Sequence, residues 1–276
     1  MLTLGFSTCP NDTFIFDAIV NKRIDMEGLQ FDIHMADVEE LNLLALKGDI
    51  NITKLSYHAY AHLAGKYAVL NAGSALGRGN GPLFVSKHKI YPDEVPYVKI
   101  AIPGKYTTAA FLLKVAYPEI KQEPKEYLFS DIEEAVLSNE MDAGVLIHEG
   151  RFTYAKKGLH LITDLGAYWE QHSGKPIPLG CIAVSRNLPV DVQQKFGRVL
   201  RRSVEFALEN PEASREFVRH HAQEMDEDVM RKHINLFVNN YTVDLGQEGK
   251  SAVEFFLNEA KRLKIVEELP EQLFVK

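Results

Sequence analysis

The chain has 276 residues, 46% hydrophobic and 25% charged, a composition that supplies a sizeable core and excludes a disordered or fibrous protein. That length exceeds what a single core usually organises and predicts two domains. A net charge of −7 leaves nucleic-acid binding to a local basic patch, and no run approaches the ~20 apolar residues of a membrane span.

The first residues, MLTLGFSTCPND, have neither a basic start nor a long apolar stretch, unlike a signal peptide. Cys9 and Cys181 are far apart without metal-ligand spacing, so both are expected as free thiols of a cytoplasmic protein. LTLGFS (2–7) is apolar and extended. Asn11 and Asp12 then offer capping side chains to a helix whose Phe14, Ile15, Ala18 and Ile19 share one face. FDIHMAD alternates as a half-buried strand does. Asp37, with Glu40 three residues on, opens the helix VEELNLLALKG, which Gly48 closes. INITKLS is a strand that runs into the helix SYHAYAHLAG. Strands alternating with helices predict a mainly parallel sheet covered on both faces.

A glycine-rich stretch, GSALGRGNGP (73–82), precedes the strand PLFVS, and YPDEVP (91–96) reads as a linker crossing between lobes. The plan then repeats. VKIAIPG is a strand and turn, TTAAFLLKVAY a helix and YLFSD a strand. DIEEAVLSNEMDAGVLIHE echoes DVEELNLLALKGDINITKLS: both open Asp-x-Glu-Glu, continue as a short amphipathic helix and end in an apolar strand. IPLGCIAVS (177–185) is the return strand, and from about 190 the chain reads as four helices, with Pro211 just inside the second. Arg198, Arg201 and Arg202 cluster on the first of these. Acidic residues follow, so a solvated helix face is expected rather than a nucleic-acid patch. The expected architecture is α/β in two lobes around a central cleft, residues 1–90 with 180–276 forming one and 91–179 the other.

In open α/β sheets ligands bind where the carboxyl ends of strands lead into helices. Four such turns are readable: Ser7–Asp12, Lys54–Tyr57, Gly104–Ala109 and His148–Arg151, two per lobe and expected to face across the cleft. The Gly104–Ala109 turn is the best seat for a carboxylate, because a helix start offers backbone N–H groups and a favourable dipole, and Thr107 and Thr108 add hydroxyls. Thr107 equally suits the cap of its own helix, and Ser56 shares that ambiguity. His148 ends the apolar run GVLI, where a neutral imidazole can accept a proton near pH 7. A histidine so placed is more often structural; the Thr107/Thr108 turn opposite favours the catalytic reading.

Other motifs lead nowhere. His58 and His62 have i, i+4 spacing but no third ligand nearby, and His220 and His221 point different ways, so no metal site is expected. Gly73–Gly81 matches neither phosphate-loop pattern and is expected as a mobile or hinge loop. There is no GxSxG elbow and no dinucleotide fingerprint.

Five segments in order, SxCPNDTFIF (7–16), TKLSYHAYA (53–61), GSALGRGNGPL (73–83), GKYTTAAFLL (104–113) and IHEGRFTY (147–154), resemble the 1,4-dihydroxy-6-naphthoate synthase family of the futalosine route to menaquinone. The resemblance implies a type II periplasmic-binding-protein-like fold and a lyase that opens cyclic dehypoxanthine futalosine. The products would be 1,4-dihydroxy-6-naphthoate and a three-carbon fragment, with no metal or organic cofactor. It places the base on His148 and substrate contacts on Lys54, Leu55, Ser56, Thr108 and Ala109. The substrate's aromatic body would lie against Tyr57, Phe152 or Tyr154, if these are not core residues. The rival reading is a cytoplasmic, non-catalytic small-carboxylate binding protein or sensor on the same fold; a regulator's effector domain is disfavoured, since no helix-turn-helix precedes the first strand. The expected partner is a small anionic substrate, not nucleic acid or membrane, with a homodimer as the base-rate assembly.

Overall fold

The computed structural model describes residues 1–148, 150–222 and 226–276. The chain divides into two compact units, Met1–Gly77 with Pro178–Lys276, and Arg78–Ile177. The first stretch holds β1 (Leu2–Phe6), α1 (Pro10–Val20), β2 (Phe31–Met35), α2 (Val38–Lys47), β3 (Ile52–Ser56), α3 (Tyr57–Leu63), β4 (Tyr67–Val69) and β5 (Ala75–Gly77). The second unit holds β6 (Leu83–Ser86), β7 (Ile100–Ile102), α4 (Thr108–Ala116), β8 (Lys125–Glu126), α5 (Ile132–Leu137), β9 (Ala143–Leu146), α6 (Gly150–Thr153), β10 (His160–Asp164) and α7 (Leu165–Ser173). β11 (Ile177–Ser185) returns the chain to the first unit. That unit is completed by α8 (Val190–Glu209), α9 (Arg215–His221), α10 (Glu227–Phe237), α11 (Asn240–Val243) and α12 (Gly246–Arg262).

The first sheet has the order β2-β1-β3-β11-β4, and β5 also pairs with β11. β2, β1 and β3 run parallel, as the alternation of strand and helix predicts, whereas β11 is antiparallel to both β3 and β4. The core beneath it joins Leu4 and Phe6 of β1 to Phe14, Ile15 and Phe16 of α1 and to Phe196, Val199, Leu200 and Val204 of α8. The Phe6 and Phe16 rings stack with centroids 4.4 Å apart. α8 buries one face and turns its arginines outward. There Arg198 and Arg202 both grip Glu27, at 2.5 and 3.0 Å, and Arg201 pairs with Glu205 and Asp244. This basic cluster is matched by acidic partners. The chain's end covers the outer edge of β4, with Val69 bonded through its N–H to the Leu273 carbonyl and through its carbonyl to the Val275 N–H.

The second sheet has the order β10-β6-β9-β7-β8. β7 is parallel to β8 and β9, while β6 is antiparallel to β9 and β10. Leu83 at the start of β6 pairs with Leu146 at the end of β9 and Asp164 at the end of β10. One edge of this sheet therefore gathers the entry to β6 and the exits of β7, β9 and β10.

The division falls at Gly77/Arg78, not at the expected 90/91, because β6 pairs in the second sheet. YPDEVP consequently lies inside the second unit, where Val95–Tyr97 forms a short 3-10 turn with Val95 buried. YLFSD is not a strand: pairing ends at Glu126, and Phe129–Asp131 turns directly into α5. Of the stretch expected as a mobile or hinge loop, Gly73 and Gly81 are close-packed, Arg78 and Gly79 are exposed, and the division between the units falls within it. Gly73, at φ +87°, lies so near Ile182 that a Cβ would come within 2.6 Å of its Cγ1, and a Cβ on Gly81 would sit 2.3 Å from Gly166 Cα.

Candidate active site

In the first unit, β1, β2 and β3 deliver their turns to one sheet edge. Lys54, in the fully buried β3, is 6% exposed. A lysine tolerates such burial only beside an anion, and Asp12 supplies it, with Oδ1 2.6 Å from Nζ. Room for the lysine stem comes from Gly180 on the neighbouring strand, where a Cβ would lie 2.9 Å from Lys54 Cε. The Asp12 carboxylate also accepts from Ser7 Oγ at 2.7 Å and Asn11 Nδ2 at 2.8 Å. Asn11 Oδ1 in turn lies 2.9 Å from His233 Nε2 of α10. Asn11 and Asp12 were expected as caps. The N-cap is instead Cys9, followed by Pro10, and the two polar side chains serve the buried lysine network because its charge demands them.

Ser56 and Thr107 look alike in sequence and resolve oppositely. Ser56 occupies the N-cap position of α3 without capping it. Its Oγ accepts from Asn42 Nδ2 at 3.3 Å, and its N–H donates to Asn42 Oδ1 at 3.0 Å, so the hydroxyl proton is directed neither into its helix nor at Asn42. Thr107 does cap α4: its Oγ1 accepts from the Ala110 N–H at 3.2 Å and donates to the Gly104 carbonyl at 2.7 Å. What the start of α4 can offer an anion is the positive end of its dipole, with the backbone N–H groups of Thr108 and Ala109 in the first turn. Leu55 is fully buried, so only its backbone is available to a ligand. Tyr57 is also fully buried, with its hydroxyl 2.9 Å from Ser74 Oγ, and is a core residue.

In the second unit, His148 follows β9 and is half-buried, its ring edge-on to Phe129 with centroids 4.8 Å apart. Its φ of +56° lies in the left-handed region, which histidine enters more readily than most side chains and which reverses the chain into α6. A non-glycine residue held there costs roughly 1–3 kcal/mol and is over-represented at functional sites. Glu149 lies outside the described residues. Arg151 donates to the Gly81 carbonyl, and its Nη2 is 3.9 Å from Asp164 Oδ2. Burial lowers the Arg151 pKa, while Asp164 opposes the shift. Asp164 caps α7, accepting from the Gly166 and Ala167 N–H groups at 2.9 Å. Phe152 and Tyr154 are half-buried, and Tyr154 packs against the second unit's apolar cluster. By topology, then, His148, the Gly104–Ala109 turn and the Gly81 loop share one edge of the second sheet.

Sequence reasoning gave no role to Asn42 or Gly180, and named Arg151 only as the end of the His148 turn. Asn42 was detectable as a polar residue on the buried side of α2, beside Leu41 and Ala45. Among the described residues no three His, Cys, Asp or Glu side chains meet as metal ligands, and the His58 and His62 rings lie with centroids 5.5 Å apart. Neither Cys9 nor Cys181 forms a disulfide, both are buried, and burial pushes the Cys181 thiol far above its ordinary pKa. No helix among the described residues is long and apolar enough to cross a membrane.

The sequence profile of the menaquinone biosynthesis family matches residues 2–262. The chain belongs to this family. It is 41% identical over 274 residues to a 1,4-dihydroxy-6-naphtoate synthase of Thermus thermophilus, covering 99% of both chains. A crystal structure of an Archaeoglobus fulgidus protein superposes with a TM-score of 0.90 at 35% identity, covering 96% of this chain and 98% of that one. A ligand-binding component of an ABC-type import system from Staphylococcus aureus gives a TM-score of 0.71 at 14% identity, covering 100% of this chain and 96% of that one. Likeness at that identity shows the fold alone, which is periplasmic-binding-protein-like as the five motifs implied. The family match makes the chain an enzyme of menaquinone biosynthesis.

Proposed function

We propose that this menaquinone-biosynthesis enzyme is a cytoplasmic carbon–carbon lyase that converts cyclic dehypoxanthine futalosine to 1,4-dihydroxy-6-naphthoate. The observation that carries the reading is the 41% identity to the Thermus synthase across 99% of the chain. His148 removes a proton next to a carbonyl and the electron pair rests on the carbonyl oxygen as an enolate; its collapse breaks the carbon–carbon bond, the bonding pair leaves on the three-carbon fragment, and that fragment takes the proton back from His148. Aromatisation of the naphthalene ring drives the step, so neither metal nor organic cofactor is required. The first-turn N–H groups of Thr108 and Ala109 seat the substrate carboxylate, with Thr107 holding that helix start in place. Lys54, the Leu55 backbone and Ser56 supply further substrate contacts, and Tyr154 an apolar surface. The partner is this small anion alone, with neither nucleic acid nor membrane, and the assembly a homodimer.

The test is naphthoate release by purified, EDTA-treated protein, followed by mass spectrometry. His148→Asn is expected to abolish turnover while substrate still binds. Near wild-type turnover by that variant removes the base assignment, and dependence on added metal removes the cofactor-free mechanism.

A further inference from the structure

Asn80 is 2% exposed, and among the described residues neither its carboxamide oxygen nor its nitrogen has a hydrogen-bond partner. Buried amides are almost always satisfied, so one left open inside a tightly held loop calls for a partner the chain does not provide. The loop is held on both sides of it. The Gly79 N–H donates to Glu170 Oε1 at 2.6 Å, Arg151 grips the Gly81 carbonyl, and Gly81 lies against Gly166. The position is equally specific. Asn80 stands three residues before Leu83, whose β6 partner in β9 is Leu146, and His148 stands two residues beyond Leu146. Arg151 thus ties the neighbour of Asn80 to the segment that carries the base. The turn into α4 leaves β7 at the same edge, since β7 runs parallel to β9.

We propose that Asn80 contacts the substrate directly. Its NH2 donates to the oxygen that gains negative charge as His148 takes the proton, and its carbonyl accepts from a substrate hydroxyl. A carboxamide suits this place because it is neutral and offers a donor and an acceptor together, leaving the anionic group to the start of α4. The inference rests on the lyase reading of this edge and adds to it a residue that contacts the reacting part of the substrate.

The experiment compares wild type, Asn80→Ala and Asn80→Leu for kcat, KM and Tm, with cyclic dehypoxanthine futalosine as substrate. The expected result is a fall in kcat of about 100-fold or more, the size of loss typical when one such donor is removed, with a smaller rise in KM from the lost hydroxyl contact. The Tm of Asn80→Leu should equal or exceed that of wild type, because an apolar side chain of similar shape removes the unmet amide. A kcat within about threefold of wild type, or a loss confined to KM, overturns the proposal. So does a lowered Tm in both variants with activity falling only as folded enzyme is lost, which would assign the amide to a structural water. If wild type itself forms no naphthoate, the lyase reading falls and takes this inference with it. If wild type is active and the variants are too, only the role of Asn80 falls.

Discussion

Asp12→Asn removes the anion from the most deeply buried ion pair among the described residues of the first unit while keeping side-chain volume. The Asp12 and Lys54 side chains are 1% and 7% exposed, and Nζ lies 2.6 Å from Oδ1. Asparagine offers one acceptor where aspartate offered two. Its NH2 must therefore face either Lys54 Nζ or the Ser7 hydroxyl and N–H, which now donate to Oδ2. Stranding a buried charge in this way costs about 3–5 kcal/mol, against a total stability of about 5–15 kcal/mol. At roughly 2–4 °C per kcal/mol for a chain of this size, Tm should fall by on the order of 10 °C in a calorimetric scan. Adding Lys54→Met removes the stranded cation, so the double variant should regain most of the loss, with a coupling of about 2 kcal/mol or more. A single variant within about 1 kcal/mol of wild type, or strictly additive effects, would refute the claim that the pair is a closed electrostatic unit.

Two further outcomes follow from the packing and charge of each unit. Gly81→Ala would drive a Cβ to 2.3 Å from the Gly166 backbone, and should lower Tm by several degrees; Gly65→Ala, with nothing within 4 Å of the new atom, is the control expected to leave it unchanged. Hydrogen bonds from Arg198 and Arg202 hold the Glu27 pKa at about 2, below its ordinary 4.5. A depressed carboxylate pKa contributes stability that is present above about pH 4.5 and lost as pH falls through about 2. The Tm difference between wild type and Glu27→Gln should accordingly be widest near neutral pH and close towards pH 2. A difference independent of pH would show that the two arginines do not recognise the charge of Glu27.

Local chemistry was legible wherever one segment decides the outcome. Asp37 caps α2 as expected, accepting from the Glu39 and Glu40 N–H groups, and Gly48 closes that helix at φ +86°. The return strand and the turns that carry His148 and Thr108 were equally visible, because strand ends and helix starts leave local signals. The misreadings came from contacts distant in sequence. Nothing near Asp12 announces Lys54, which lies 42 positions away, so its carboxylate looked like a cap. Ser56 and Thr107 share one local pattern, and only Asn42, arriving from α2, separates them. PLFVS looked like a continuation of the first lobe until its pairing with β9 and β10 placed it in the second.

The position of β11 also bears on the order in which the polypeptide can fold as it leaves the ribosome. β11 lies between β3 and β4, so Met1–Gly77 emerges with the middle of its sheet missing. Arg78–Ile177 is continuous and contains every strand of its own sheet. During vectorial synthesis the later-translated unit is therefore the first able to close, while the amino-terminal strands wait, exposed, for β11 and the helices behind it. Holdase chaperones should meet this nascent chain chiefly through β3 and β4.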